Sequence, residues 1–168
     1  MELLHFDESD GIPNNAALPV VVHHDVSQII DDPAACERLF ASHNWGGSWR
    51  NGIFSYHHFH SNAHEALGIV SGAARVALGG PGGAVLTVRA GDVIVRPAGT
   101  GHKREDDGAG LLVVGAYPPG QEQYDLRRAD PSWLAEARAN VAAVALPDAD
   151  PALGAADGLR TVAEWRRT

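Results

Sequence analysis

His58, His60, Glu65 and His102 are the residues whose types and spacing could do chemistry in this chain. His58 and His60 stand at i and i+2, and on a strand that spacing puts both side chains on one face. Glu65 follows five residues after His60, room for a short loop to bring a carboxylate back to the same point from the next strand. His102, thirty-seven residues after Glu65, would enter from a later strand and complete a set of three imidazoles and one carboxylate. Such donors suit a borderline first-row divalent ion and leave positions on an octahedral ion for solvent, substrate or oxygen. A closed structural zinc site takes four ligands tetrahedrally, often thiolates, and the chain has a single cysteine, Cys36. Iron or manganese fits best, with nickel, cobalt, zinc and copper also admissible.

The neighbours of this set each carry two readings. His57 lies on the opposite strand face, outside the barrel or under a helix. His64 precedes Glu65 directly; a regular strand would point it away, whereas a loop would let it replace or supplement the glutamate. Phe54 and Tyr56 share the His58 face, as pocket lining or as barrel filler. Arg104 shares the His102 face two residues on, where its guanidinium could grip a substrate carboxylate bidentately; otherwise it is a surface residue. Trp45, Trp49 and Arg50 are a lid over the site or the packing of a helix on a sheet. Cys36 is read as a small buried hydrophobe on a helix. His23-His24 is a strand pair with at most one member inward, and no role is assigned to it.

These residues need strands to position them. A strand is expected from Leu18 to His24, after a turn at Asp10-Gly11 and Pro13-Asn14-Asn15. Asp32-Pro33 reads as an N-cap and first helical residue, opening a helix to about Asn44 with Leu39 and Phe40 inward and Gly46-Gly47 as its stop. Strands are expected over 53–60, 65–71, 73–78, 84–89, 92–97 and 111–117, with a hairpin tip at Gly79-Gly80-Pro81-Gly82-Gly83. Pro118-Pro119-Gly120 breaks the last strand. Asp130-Pro131 opens a second helix with Trp133, Leu134, Ala137 and Val141 at helical spacing, and Trp165 is expected to dock on the body. Short strands at even spacing predict an all-β sandwich or barrel with flanking N- and C-terminal helices, one domain over 1–168 with a helical and loop extension from about 118.

The glycines around the four donors form a second pattern. Gly52, His58, His60, Glu65 and Gly72 follow the spacing G, five residues, H-x-H, four residues, E, six residues, G. Gly91, Pro97, Gly99 and His102 follow G, five residues, P-x-G, two residues, H. The two segments, 52–72 and 91–106, resemble the two motifs of the cupin superfamily, whose barrels are double-sheet jelly rolls, also called double-stranded β-helices. The one departure is Asp106, where the family usually has Asn, a structural position. Tyr56 through Gly68, Gly115 through Gln121 and Leu146 through Pro151 further resemble the small single-domain bacterial YjlB-like branch. The resemblance implies metal binding by His58, His60, Glu65 and His102, a turnover role for Glu65 as a base, and pairing into homodimers. Across the superfamily it is compatible with dioxygenases, decarboxylases, isomerases and non-catalytic binding proteins.

Bulk properties narrow the classes. The chain has 168 residues, 45% hydrophobic and 20% charged, the size of one domain with a sizeable core. A formal charge of -8 with scattered arginines argues against nucleic acid and anionic membrane surfaces as partners. No run of about 18 apolar residues suggests a membrane span. The N-terminus lacks a signal-peptide pattern, and one cysteine fits a reducing compartment, so the cytoplasm is expected. The residues thus point to a metal-dependent enzyme on a small organic molecule, a dioxygenase-type oxidoreductase first. A metal-dependent isomerase or decarboxylase and a non-catalytic metallocupin stay open.

Overall fold

The computed structural model describes residues 1–154. Its strands are β1 (Glu2–Leu4), β2 (Val20–His23), β3 (Gly46–Asn51), β4 (His58–Phe59), β5 (Glu65–Ser71), β6 (Ala73–Leu78), β7 (Ala84–Arg89), β8 (Val93–Arg96), β9 (His102–Arg104), β10 (Leu112–Tyr117) and β11 (Arg127–Arg128). Helices α1 (Pro33–Ser42) and α2 (Leu134–Ala143) flank them. One antiparallel sheet runs β1-β2-β8-β5-β10-β3 and the other β11-β4-β9-β6-β7. Their facing sides share a core of Val20, Val22, Leu67, Ile69, Ile94 and Val113 against Val76, Leu78 and Val88. The architecture is the expected all-β jelly roll, and no helix among the described residues is long and apolar enough to cross a membrane.

The central strands β2, β8, β5 and β10 of the larger sheet are buried on both faces, and α1 covers the outer side. Alternation along β5 sends Glu65, Leu67 and Ile69 inward and Ala66 and Val70 outward, under Cys36 and Phe40 of α1. The helix begins as its sequence dictates: the Asp32 carboxylate accepts from the Ala35 N–H at 2.9 Å and Pro33 occupies the first turn. Gly68 lets the helix sit this close. A Cβ there would lie 2.4 Å from Cys36 Sγ and 3.0 Å from the Phe40 ring.

Several expected elements differ. The strand expected over 53–60 contracts to His58–Phe59, because Arg104 takes the preceding carbonyls with its own backbone N–H to Phe54 and its side-chain Nε to Ile53. Gly46-Gly47 open β3 and do not stop α1; Asn44 does, at φ +64°, while the Trp45 N–H returns to the Phe40 carbonyl. β9 is the later strand from which His102 was expected to enter, whereas β1, β3 and β11 were not among the expected strands. Of the α2 stripe only Ala137 is buried, and Trp133 is 45% exposed with the Arg127 guanidinium over its ring. Trp165 lies outside the described residues.

Gly68→Ala is expected to lower stability by about 1–3 kcal/mol through overpacking. Adding Cys36→Ala, which removes the nearest obstructing atom, should recover part of that loss. Urea unfolding of the two single variants and the double variant measures the coupling.

Candidate functional site

The sheet registers decide which side chains meet. In the smaller sheet His58 lies directly opposite His102, and antiparallel partners share a face. Their rings stand 3.8 Å apart between centroids, and the His60 ring lies 6.2 Å from each. In the larger sheet Glu65, the first residue of β5, pairs with Arg96, the last of β8. His58 and His102 therefore come from one sheet, His60 follows directly after β4, and the carboxylate comes from the other sheet. His60 Nε2 is 3.4 Å from Glu65 Oε1, and His102 Nε2 is 4.0 Å from Oε2. All four expected donors are buried around one cavity.

Each imidazole is oriented through its other nitrogen. His58 Nδ1 meets the Tyr56 carbonyl at 3.0 Å, His102 Nδ1 meets the His58 carbonyl at 3.2 Å, and His60 Nδ1 meets the Asp125 carbonyl. A carbonyl can only accept, so Nδ1 carries the proton and Nε2 keeps its lone pair. Burial pushes His58 down to about 4 and His102 well below the ordinary histidine value, with the Arg96 charge acting in the same direction. These two rings are neutral at pH 7, the state in which imidazole binds metal.

Glu65 has the opposite balance. Burial alone would raise its pKa, but the Arg96 guanidinium beside it outweighs that effect and holds the carboxyl well below the usual range. Arg96 Nη2 donates to Glu65 Oε2, while Nη1 donates to the Thr100 carbonyl at 2.7 Å. Tyr117 donates its hydroxyl to Glu65 Oε1 at 2.7 Å and accepts from Trp49 Nε1 at 2.7 Å. Trp49 reaches this position because its β10 partner is Gly115, where a Cβ would lie 2.1 Å from the indole. Burial and the neighbouring carboxylate push the Tyr117 phenol up, so it remains a donor. As placed, the donors surround the cavity without closing on a point: among the described residues no three His, Cys, Asp or Glu side chains stand ready to hold a metal ion.

Arg96 and Tyr117 escaped the reading of the sequence. A signal for Arg96 existed: it is a cation at the inward parity of Ile94 in an otherwise apolar strand. The remaining candidates are placed as follows. His64 is buried away from the cavity; its Nδ1 accepts from the Ala98 N–H at 2.9 Å, and its own N–H donates to Gln121. Tyr56 stacks on Phe54 at 5.0 Å beneath the Arg128 guanidinium, and it lines an adjoining cavity together with Arg104. The Arg104 side chain is bonded to the Ile53 and Asp106 carbonyls. Trp45 is packing, fully buried with its Nε1 on the Ala149 carbonyl, whereas Trp49 and Arg50 line the first cavity. Asp106 is structural: its carboxylate accepts from the Arg75 and Gly108 N–H groups.

The fold and the site can now be set beside known proteins. The chain is 38% identical over 151 residues to the uncharacterized protein YjlB of Bacillus subtilis, covering 89% of each chain. The chain belongs to the YjlB family. Of its cupin motif residues, His58 stands on β4, His60 directly after it, Glu65 at the start of β5 and His102 at the start of β9, all four lining the barrel cavity, so this YjlB-family chain is a cupin. No family model matches it. Among solved structures it is similar to acireductone dioxygenase from Bacillus anthracis with a cadmium ion in its active center, at TM-score 0.45 and 15% identity over 60% of this chain and 79% of that one. It is also similar to a variant of Bacillus subtilis oxalate decarboxylase, at TM-score 0.39 and 22% identity over 71% of this chain and 30% of that one. No chemistry follows from likenesses at this level.

Two outcomes follow for the metal-free YjlB-family protein. Arg96→Met should cost about 3–5 kcal/mol at pH 7, because it strands an ionised Glu65 between the sheets, and adding Glu65→Gln should return much of it. Both are read as urea midpoints. The second concerns His64, which burial pushes down to about 3. A depressed histidine stabilises the fold fully above its unfolded value near 6.5, and that contribution is lost as pH falls toward 3. Stability should therefore drop as pH falls from 6.5 to 4, with His64 contributing up to about 1.4 kcal/mol per unit beside the shares of His58 and His102, and His64→Gln should lessen the slope by its own share.

Proposed function

We propose that this chain is a metal-dependent enzyme acting on a small organic molecule in the cavity between its sheets. Oxygen-dependent oxidation is the reaction class favoured. One observation carries the reading: three buried imidazoles have their Nδ1 positions on backbone carbonyls and present Nε2 to one cavity, across from an ionised carboxylate. His58, His60, Glu65 and His102 would hold one divalent ion, iron or manganese by donor type, with nickel, cobalt, zinc and copper as other candidates. Bound there, the ion would supply Lewis acidity and open positions for substrate oxygen and dioxygen.

The donor set fits such an ion in charge and in kind. The carboxylate has about four acceptor sites, of which Arg96 and Tyr117 each take one. These two partners keep Glu65 anionic and fix its plane, while the backbone carbonyls fix the rings. With its pKa held low, Glu65 is a weak base as placed, and no other carboxylate lines the cavity among the described residues. This favours a reaction that needs no strong base, which is why oxidation ranks above isomerisation or decarboxylation.

The test is the metal content of protein purified without added metal or nickel affinity resin, followed by oxygen uptake in a substrate screen. About one iron or manganese per chain, lost in His60→Ala, with oxygen consumed on one substrate class, is the expected result. Failure to retain any divalent ion after reconstitution would overturn the reading. Stoichiometric metal with no turnover would replace it by a non-catalytic metallocupin.

A further inference from the structure

We propose that this cavity selects a flat single-ring molecule with an uncharged body, carrying phenolic or enolic oxygens toward His58, His60 and His102. The proposal deepens the metal-enzyme reading and rests on it for turnover. Three features of the cavity support it: size, lining and charge.

The cavity volume is about 190 Å³. An engineered cavity of about 150 Å³ holds benzene, so this one takes a single ring with two or three small substituents. At the inner end stand the polar groups: the three imidazoles, Glu65 and the Tyr117 hydroxyl. The remaining walls are largely apolar, from Trp49, Ile53 and Leu67. At the mouth Phe54, Tyr124 and Leu126 are 45%, 38% and 45% exposed, a concentration of large apolar groups at the rim of one opening. Tyr124 is held there by stacking on Tyr117 at 4.4 Å and by edge contact with His60 at 4.7 Å. A slot with polar groups at one end and rings along its sides orients a flat amphipathic ligand.

Charge excludes the main competitor, a small dicarboxylate. One carboxylate could be met by a bound ion, but a second needs a cation of the protein. Among the described residues the cationic side chain that lines the cavity is Arg50, whose guanidinium donates to both oxygens of Glu37 at 2.7 and 2.6 Å. Arg96 is committed to Glu65 and Thr100 and does not line the cavity, and Arg104 lines the adjoining one. The ionised Glu65 would add repulsion. Burying an unpaired carboxylate against these walls is costly, whereas a neutral ring gains from them.

The experiment is anaerobic calorimetric titration of the full chain, metal-free and loaded with manganese, with 4-methylcatechol and with succinate. The same titrations on Phe54→Ser/Leu126→Ser separate ring contacts from chelation, since both residues are exposed and neither is a proposed ligand. The loaded protein should bind 4-methylcatechol at least tenfold more tightly than succinate. The double variant should lose about tenfold of that affinity with its metal content unchanged. Tighter binding of succinate, or equal binding of the catechol by the double variant, would overturn the ring proposal and leave the metal reading standing. If no metal is taken up, the metal reading fails separately and the metal-free titration decides: catechol binding that falls in the double variant supports the ring proposal, and no binding overturns it.

Discussion

An ionised carboxylate between two β-sheets is tolerable only if its charge and its lone pairs are answered, and the site of this protein is arranged around that requirement. Glu65 opens β5 at an inward position, at the polar end of a face that continues with Leu67 and Ile69. Its charge is answered by Arg96 from the adjacent strand and its second oxygen by Tyr117 from the strand on the other side. Trp49, one strand further, fixes the tyrosine. Four neighbouring strands of the larger sheet are thereby committed to the orientation of one carboxylate, and Gly115 keeps the space that Trp49 needs.

The smaller sheet solves a different problem. Its imidazoles need orientation more than charge balance, and backbone carbonyls supply it. His60 depends on the segment after the main barrel strands: the Asp125 carbonyl accepts a hydrogen bond from its Nδ1–H, while the Asp125 carboxylate accepts from the Ser61 N–H and hydroxyl, both at 2.6 Å. Tyr124 and Leu126 of the same segment frame the cavity mouth. The stretch beyond Pro118 is therefore part of the site, although its sequence reads as an appendage.

What could be read beforehand was whatever depends on local period and spacing. The glycine-bounded strands β5 to β8, the Asp32-Pro33 helix start and the glycine hairpin tip all follow from short-range sterics and hydrogen bonding. The spacing of His58, His60, Glu65 and His102 brought four residues to one cavity because strand parity and tight turns leave few other outcomes. The reading failed where a distant partner overrode local preference. Residues 53–57 left the expected strand because Arg104 claims the Ile53 and Phe54 carbonyls, and Trp133 left the expected helical stripe for the Arg127 guanidinium. The position of His64 depended on whether a loop or a strand led into Glu65, and only the Ala98 and Gln121 contacts decided it.

By itself, then, the sequence determined the strands, the start of the helix and the sharing of one face by His58 and His60, since each depends on periodicity or on a turn within a few residues; Glu65 and His102 joined them through the resemblance to the two cupin motifs. The tertiary structure alone decided that Glu65 is clamped by Arg96 and Tyr117, that Arg104 serves an adjoining cavity, and that Phe54, Tyr124 and Leu126 meet at one mouth. Those outcomes depend on the register between strands separated by long stretches of chain. Register is set by the summed packing of the whole core, a quantity that no local window contains.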